Sequence, residues 1–293
     1  MFRGSMPALI TPFDKNGAID EKCFSDFVEW QIASGSHALV PTGTTGESPT
    51  LTHDEHIRVV ELCVKQTKGR IPVIAGAGSN STREAIDLAT RAEAVGADAL
   101  LVVAPYYNKP SPNGQVIHFS QIAKAVKIPI FIYNIPGRSV IDILPDTIKK
   151  IRKQASNIIG IKDATNNLPR AMEQRLTLGE DFILLSGEDA SLPAFLAMGG
   201  VGCISVVANV APKLYADMID SFAKADMKNF CKLRDSLFWL SLALFCENSP
   251  APTKYALSLL KKSSPWVRAP LAECSDTAKQ TIENAMRHAG ITW

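Results

Sequence analysis

The chain alternates short apolar runs with longer amphipathic stretches, and this repeat restricts its fold more than any other feature. Apolar runs bounded by turn residues predict buried strands, and apolar residues at helical spacing predict helices between them. Eight strands are predicted, at residues 6–10, 37–40, 72–75, 99–103, 130–133, 158–162, 182–185 and 202–206, with intervening helices such as 55–67, 83–95, 117–126 and 145–152. Eight such units in about 210 residues favour a (β/α)8 TIM barrel over a doubly wound sheet.

The last quarter of the chain has a different pattern. From about Pro212 to Trp293 the sequence shows helical periodicity and no convincing strand. We therefore predict a (β/α)8 barrel over residues 1–211 and a C-terminal helical region, residues 212–293, that packs on the barrel.

Composition limits the partners of such a chain. Its 293 residues are 46% hydrophobic and 20% charged, which is enough to bury a large core. The 31 Lys and Arg against 29 Asp and Glu give a net charge of +2, so no strong field favours nucleic acid or an anionic membrane. Proline interrupts the briefly apolar N-terminus, which predicts neither a signal peptide nor a membrane span. We expect small-molecule partners.

The six cysteines are scattered, without a C-x-x-C pair or regular spacing to histidine. This spacing predicts neither a zinc site nor a disulfide framework. We interpret them as reduced thiols of a cytoplasmic protein.

Lys162 ends the apolar run 158–161 and is followed at once by a polar turn, Asp163 to Asn167. This places an amine where a core strand emerges from its packing. Burial favours the neutral form of an amine, which is the nucleophile toward a carbonyl carbon. Two other interpretations stay open, in which Lys162 extends to solvent or pairs with Asp163.

Polar residues follow several other predicted strands, at the end where barrel enzymes place their chemistry. They lie at Gly43 to Ser48, Pro105 to Asn108, Tyr133 to Arg138, Ser186 to Asp189 (with Gly187) and Ile204–Ser205. The glycines of the first segment allow backbone N–H groups to turn toward a small anion, although an ordinary βα loop has the same composition.

A lysine that forms a Schiff base needs a proton shuttle, because a hydroxyl must be protonated and expelled. Tyr133 could supply it, and the hydroxyls of Thr44 and Tyr107 could extend it; a tyrosine at a strand end can equally be core packing. Arg138 offers a planar fork for a carboxylate. An ion pair of Arg138 with Asp142 or Asp163 is the alternative.

Three phrases in this order and spacing, Gly43-Thr44-Thr45-Gly46-Glu47, Tyr133-Asn134-Ile135-Pro136-Gly137-Arg138 and Gly160-Ile161-Lys162-Asp163-Ala164, resemble the dihydrodipicolinate synthase family over nearly the whole chain. The family belongs to the pyruvate-dependent class I aldolases, which are (β/α)8 barrels. The first and third phrases are shared with N-acetylneuraminate lyase and related aldolases. Arg138 and the pair Tyr106-Tyr107 favour the synthase.

The resemblance implies that Lys162 forms the Schiff base with pyruvate and that Tyr133 transfers protons through Thr44 and through Tyr107 of a neighbouring subunit. Thr45, Ile204 and Gly187 would contact substrate, and Arg138 would receive the carboxylate of L-aspartate 4-semialdehyde. It also implies that neither a metal nor an organic cofactor is needed. A homotetramer built as a dimer of dimers is the assembly it implies.

The resemblance also implies a regulatory site for L-lysine. It matches the inhibited members of the family at Ser48, Pro49, His53, His56, Gly78, Asn80, Glu84 and Tyr106. From the residues alone, the histidines are solvated on a helix face, and Thr52-x-x-Glu55 and Ser81-x-x-Glu84 are capping boxes that occupy Glu84 structurally.

Three functions therefore remain open. The first is the synthase, and the second is a sibling aldolase or lyase such as N-acetylneuraminate lyase. The third is a catalytically silent barrel that senses pyruvate or lysine, although a sensor would not need the complete proton relay.

Overall fold

Regular strands and helices alternate along the chain in the computed structural model, which describes residues 2–293. The strands are β1 (Gly4–Pro7), β2 (Ile74–Gly76), β3 (Ala99–Val103), β4 (Ile130–Asn134), β5 (Ile158–Asp163), β6 (Ile183–Ser186) and β7 (Gly202–Ser205). They form one parallel sheet in the order β1-β7-β6-β5-β4-β3-β2. This order is that of successive βα units.

The strand predicted at residues 37–40 is wrong as a regular strand, but this segment closes the sheet into a ring. Val40 bridges Ala8 beyond β1, and Leu39 bridges Val73 before β2, both in the parallel sense. The ladder stays short because the neighbouring residues Pro41 and Pro72 have no N–H to donate. The predicted (β/α)8 barrel is confirmed, and residues 37–40 occupy its second strand position through isolated bridges.

Helices pack around the ring. They are α1 (Glu21–Ala33), α2 (His53–Thr67), α3 (Thr82–Ala94), α4 (Pro112–Ala125), α5 (Pro136–Ser139), α6 (Pro145–Gln154), α7 (Leu168–Leu178), α8 (Leu192–Ala197), α9 (Val207–Val210), α10 (Pro212–Ala223), α11 (Met227–Ala243), α12 (Ala251–Leu259) and α13 (Asp276–His288). The predicted start of α4 at residue 117 was too late. Ser111 caps that helix by accepting a bond from Gly114 N, and Pro112 occupies its first turn, where no amide donor is needed.

Three apolar clusters hold these layers together. One fills the barrel interior with side chains from several strands, including Met6, Leu101, Phe131, Leu185 and Ile204. A second lies between the strands and helices α2 to α7, and the third joins α1 and α2 to the C-terminal helices. Because the interior is filled by side chains, we expect chemistry at the rim of the ring, which is formed by the carboxyl ends of the strands.

The chain beyond β7 is helical. Helix α10, which begins at Pro212, packs against β1, and α12 packs against α9 and α13. The predicted boundary after residue 211 stays a prediction. Among residues 2–293, no helix has the length and apolar character needed to cross a membrane.

Candidate active site

Lys162 and Tyr133 lie side by side at the end of two neighbouring strands. The register of β4 and β5 pairs these two residues directly. Both side chains are buried, at 7% and 6% exposure, and Lys162 Nζ lies 4.1 Å from the centroid of the Tyr133 ring. The structure therefore brings the predicted nucleophile and the predicted proton shuttle into contact.

Asp163 does not pair with Lys162, because successive side chains of a strand point to opposite faces. Its Oδ1 accepts bonds from Thr165 N at 2.8 Å and Thr165 Oγ1 at 2.6 Å. Its Oδ2 accepts from Gln174 Nε2 at 2.6 Å on helix α7. Lys162 Nζ forms no ion pair or hydrogen bond with any residue in 2–293, and the side chain is buried, so both structural interpretations of this lysine, solvent exposure and pairing, are wrong.

Gly187 makes room for the lysine. A Cβ built at this position would lie 3.0 Å from Lys162 Cε and 2.7 Å from Ala164 Cβ. Gly187 N also donates to Asp163 O at 2.7 Å, which fixes its backbone beside β5. Only glycine therefore fits here without moving the amine.

The loop that follows residues 37–40 is tightly folded. Thr42 and Glu47 both adopt positive φ, at 54° and 56°, and the amides of Gly46 and Glu47 donate to carbonyls within the loop. Within residues 2–293, the amides of Thr44 and Thr45 have no acceptor. Thr45 is buried and Thr44 is half-buried. The loop therefore presents two adjacent free N–H groups, the arrangement that binds small anions.

Arg138 lies in the short helix α5 and is exposed. It has no ion-pair partner within residues 2–293, since both predicted partners are occupied. Asp142 accepts two bonds from Arg170, at 3.0 and 3.1 Å, and one from Asn134 Nδ2 at 2.7 Å. The predicted alternative, an ion pair with Asp142 or Asp163, is wrong, and the guanidinium is free for a ligand.

Helix α7 contacts both the segment that contains Arg138 and the end of β5. Arg170 and Gln174 lie one turn apart on it; the first binds Asp142 in the Arg138 segment, and the second binds Asp163 next to the lysine. Burial raises the pKa of Asp142, but its bonds to Arg170 and Asn134 outweigh burial and lower that pKa overall. Asp142 therefore stays a carboxylate that anchors its segment.

The remaining predicted substrate contact, Ile204, lies on β7 inside the barrel and is 1% exposed. Glu188, which follows Gly187, is half-buried, and burial together with Asp189 raises its pKa. The charges of Lys162 and Arg138 partly oppose that rise. Glu188 is thus an acid at the same rim whose ionisation responds to both cations.

A cavity of about 370 Å³ opens beside this rim. Seven of the eight residues predicted for a lysine site line it, together with Thr44 and Arg138: Ser48, Pro49, His53, His56, Gly78, Glu84 and Tyr106. Asn80 is not among its lining residues, and its carbonyl accepts a bond from Asn108 Nδ2 at 2.9 Å. Thr44 and Arg138 thus belong both to the predicted site and to the cavity wall.

Two structural interpretations of the cavity residues need correction. His56 is buried rather than solvated, its Nε2 lies 2.6 Å from Gly76 O, and burial lowers its pKa. Thr52 and Glu55 form a complete capping box. The box predicted at Ser81 is only half formed, because Ser79 Oγ donates to Glu84 at 2.7 Å and takes the place of the backbone donor. Glu84 therefore remains at the cavity wall.

Tyr107 lies apart from the rim. It adopts a φ of 69°, its side chain is 85% exposed, and it has no side-chain hydrogen bond to any residue in 2–293. Tyr106, at 39% exposure, lines the cavity instead. Within one chain, Tyr133 and Thr44 are the predicted relay residues placed at or beside the rim.

Comparison with known proteins decides the family. The profile described as the Dihydrodipicolinate synthetase family matches residues 1–289. The chain belongs to this family. It is therefore an enzyme of the class I aldolase type, as the family's curated relatives are.

Individual relatives of the family match over almost their whole length. The 4-hydroxy-tetrahydrodipicolinate synthase of Bartonella henselae is 55% identical over 291 residues, covering 99% of each chain. The chloride-inhibited dihydrodipicolinate synthase from Acinetobacter baumannii, solved in complex with pyruvate, is 38% identical with a TM-score of 0.96 and full coverage of both chains. The enzyme from Cyanidioschyzon merolae, solved with lysine bound, is 35% identical with a TM-score of 0.96 over 99% of each chain.

Sequence reasoning missed two sets of residues in this dihydrodipicolinate synthetase family member. Arg170 and Gln174 carry no local signal, because polar residues on a helix normally face solvent. Lys254, which is fully buried, contacts Glu47 of the first motif. The mostly apolar segment around Lys254, Ala251 to Leu260, was the only signal in the sequence that this lysine is buried.

Proposed function

We propose that the chain condenses pyruvate with L-aspartate 4-semialdehyde, the reaction of a 4-hydroxy-tetrahydrodipicolinate synthase. The observation that carries this proposal is the buried amine of Lys162, which lies over Tyr133 and forms no ion pair with a carboxylate in residues 2–293. The names of the curated relatives and the pyruvate complex of the Acinetobacter baumannii enzyme support it.

In this proposal the neutral Lys162 amine attacks the keto carbon of pyruvate and forms a carbinolamine. Tyr133 protonates the hydroxyl, which leaves as water, and the imine results. Loss of a methyl proton then gives an enamine, whose carbon attacks the aldehyde. The amino group of the second substrate closes the ring onto the imine carbon, and this step releases Lys162.

The other rim residues hold the substrates. The amides of Thr44 and Thr45 would bind the pyruvate carboxylate, and the absence of a side chain at Gly187 would leave space above the imine. Arg138 would bind the carboxylate of the semialdehyde in a bidentate manner. The backbone at Ile204 completes the pyruvate contacts. Thr44 and Tyr107, the latter from a neighbouring subunit, would relay protons between Tyr133 and solvent.

Trapping with borohydride tests the imine. After incubation with pyruvate and borohydride, we expect one adduct by intact mass, mapped to Lys162 and absent from Lys162→Ala. Steady-state assays then separate the candidates: condensation with aspartate semialdehyde supports the synthase, and pyruvate release from N-acetylneuraminate supports the sibling lyase. An adduct on another lysine, or none, contradicts the aldolase mechanism and favours the silent sensor.

We also propose that L-lysine binds the 370 Å³ cavity and inhibits. Glu84 and the two histidines would face the amino groups, and the lysine-bound enzyme of Cyanidioschyzon merolae supports this assignment. Millimolar lysine should raise the melting temperature and lower the initial rate. Glu84→Gln should weaken both effects, whereas Asp87→Asn, on the exposed face of the same helix, should not. Unchanged rate and melting temperature would contradict the proposal.

A homotetramer, as a dimer of dimers, is the assembly that we propose, because an exposed Tyr107 needs a neighbouring rim to act on. Sedimentation and activity measured over a dilution series test it: activity per chain should fall where dimers dissociate. The six free cysteines fit a cytoplasmic location.

A further inference from the structure

Lys254 is a second buried lysine, and it lies far from the rim in sequence. It sits on helix α12 with 0% exposure, and its Nζ lies 2.5 Å from Glu47 Oε1 and 2.8 Å from Trp266 O. The same nitrogen lies 4.0 Å from the centroid of the Phe13 ring. The ammonium is therefore held by a carboxylate, a carbonyl and an aromatic face.

Its partner Glu47 occupies a special place in the loop. It follows Thr44 by three residues and Thr45 by two, and it directly precedes Ser48 and Pro49, which line the cavity. It is 1% exposed and adopts the left-handed region at φ 56°, which is strained for a residue with a side chain. A side chain with such a backbone needs strong external contacts to keep it there.

Arg268 supplies further contacts from the C-terminal region. Its backbone N donates to the second Glu47 oxygen at 2.9 Å. Its guanidinium donates to Thr50 O at 2.8 Å and to both oxygens of Glu55, and it lies over the Phe13 ring. The loop is thus held at Glu47, at its end and at the first turn of α2.

We propose that Lys254, through Glu47, and Arg268, through Glu47, Thr50 and Glu55, are positioning residues that fix the loop 43–50 and so set both the pyruvate subsite and the adjoining cavity wall. The inference rests on the proposed function, since it assigns the Thr44 and Thr45 amides to pyruvate. Neither residue touches substrate. A buried carboxylate that loses its cation must be neutralised or resolvated, and either change moves the loop.

The test compares Lys254→Met, Glu47→Gln and the double variant with Leu257→Ala. Leu257 is equally buried on α12, but its apolar side chain takes no part in the Lys254–Glu47 pair, so its truncation destabilises the helix without breaking the pair. The readouts are the pyruvate concentration for half-maximal borohydride trapping on Lys162, KM, kcat and lysine inhibition, all measured well below each melting temperature.

We expect the two single variants to raise the trapping concentration and the KM for pyruvate by at least about tenfold, because small misplacements of binding groups are costly. Inhibition by lysine should weaken in parallel. The double variant should be less impaired than the two single effects combined, since no unpaired charge remains. Leu257→Ala should lower the melting temperature and leave KM unchanged.

Two results would overturn the inference. One is an unchanged trapping concentration and KM in folded Glu47→Gln or Lys254→Met; the other is an equal change in Leu257→Ala. If Lys254→Met does not fold, Glu47→Gln decides alone, because glutamine keeps the shape of the side chain. If Glu47→Gln also fails to fold, the positioning role is overturned. Absence of any adduct in the wild-type chain would instead contradict the proposed function.

Discussion

The two buried lysines have the same kind of aromatic neighbour and different polar neighbours. Lys162 Nζ lies 4.1 Å from the Tyr133 ring centroid, and Lys254 Nζ lies 4.0 Å from that of Phe13. Lys254 also has a carboxylate and a carbonyl, whereas Lys162 has neither among residues 2–293. Burial over a ring is thus common to both, and the missing acceptor is what leaves Lys162 free to react.

The surroundings of the two amines explain this difference. Lys162 is the next-to-last residue of β5, at the carboxyl-end rim where barrel enzymes bind small molecules. Lys254 lies between α12 and the loop 43–50, where its contacts are complete without a ligand. A buried lysine is therefore evidence for chemistry only when its polar partners have been counted.

The largest expected effect on activity follows from exchanging Lys162 for methionine, an apolar residue of similar shape. Lys162→Met should abolish the borohydride adduct and lower kcat by at least about 10³-fold, because the proposed nucleophile is lost. Its melting temperature should stay equal or rise, since an unpaired buried amine is removed. A stable adduct in Lys162→Met would break the comparison.

Lys254→Met should have the opposite outcome on stability. Removing one partner of a buried pair costs about 3–5 kcal/mol, because Glu47 is left without its cation. Urea unfolding should measure that loss, while mass spectrometry at saturating pyruvate should still find the adduct on Lys162. Equal stability of Lys254→Met and wild type would show that the pair contributes nothing net.

Tyr133→Phe sharpens the comparison, because it gives Lys162 the same ring that Lys254 already has. The ring stays over the amine, but the hydroxyl that we propose as the proton shuttle is lost. We expect kcat to fall by about 10²-fold, the contribution of a general acid–base group, with little change in stability. Pre-steady-state trapping should show slower imine formation, and an unchanged rate would remove Tyr133 from the relay.

The pH dependence of stability gives the smallest effect. Burial lowers the pKa of Lys254 from 10.5 to about 8, although Glu47 opposes this. The unfolded chain then binds more protons than the folded chain between about pH 8 and 10.5, so the free energy of unfolding rises with pH there.

The reference for this experiment is Lys254→Met/Glu47→Gln, which lacks both charges of the pair. Relative to it, the wild type should gain on the order of 1–3 kcal/mol between pH 7 and 10 in urea titrations. A constant difference across this range would show that Lys254 keeps its proton throughout.

The barrel and the core of the rim could be predicted from the sequence, because parallel strands bring their carboxyl ends to one edge. That rule alone places Lys162 beside Tyr133. The prediction of a regular strand at residues 37–40 was wrong because two neighbouring prolines limit its hydrogen bonding. Ser79 Oγ donates to Glu84 in place of the expected backbone N–H of Ser81, and the spacing of Ser81 and Glu84 in the sequence does not show this. Contacts such as Lys254 with Glu47 join distant segments, so only the folded chain shows them.

Helix α7 binds the segment of the nucleophile and the segment of Arg138 through Gln174 and Arg170, one turn apart. A small translation of this helix therefore displaces both segments in the same direction and leaves their separation nearly unchanged. Because the two segments move together with the helix, thermal motion of the helix layer changes their positions more than it changes their separation. The distance between Lys162 and Arg138 is in this way less sensitive to movements of the helix layer.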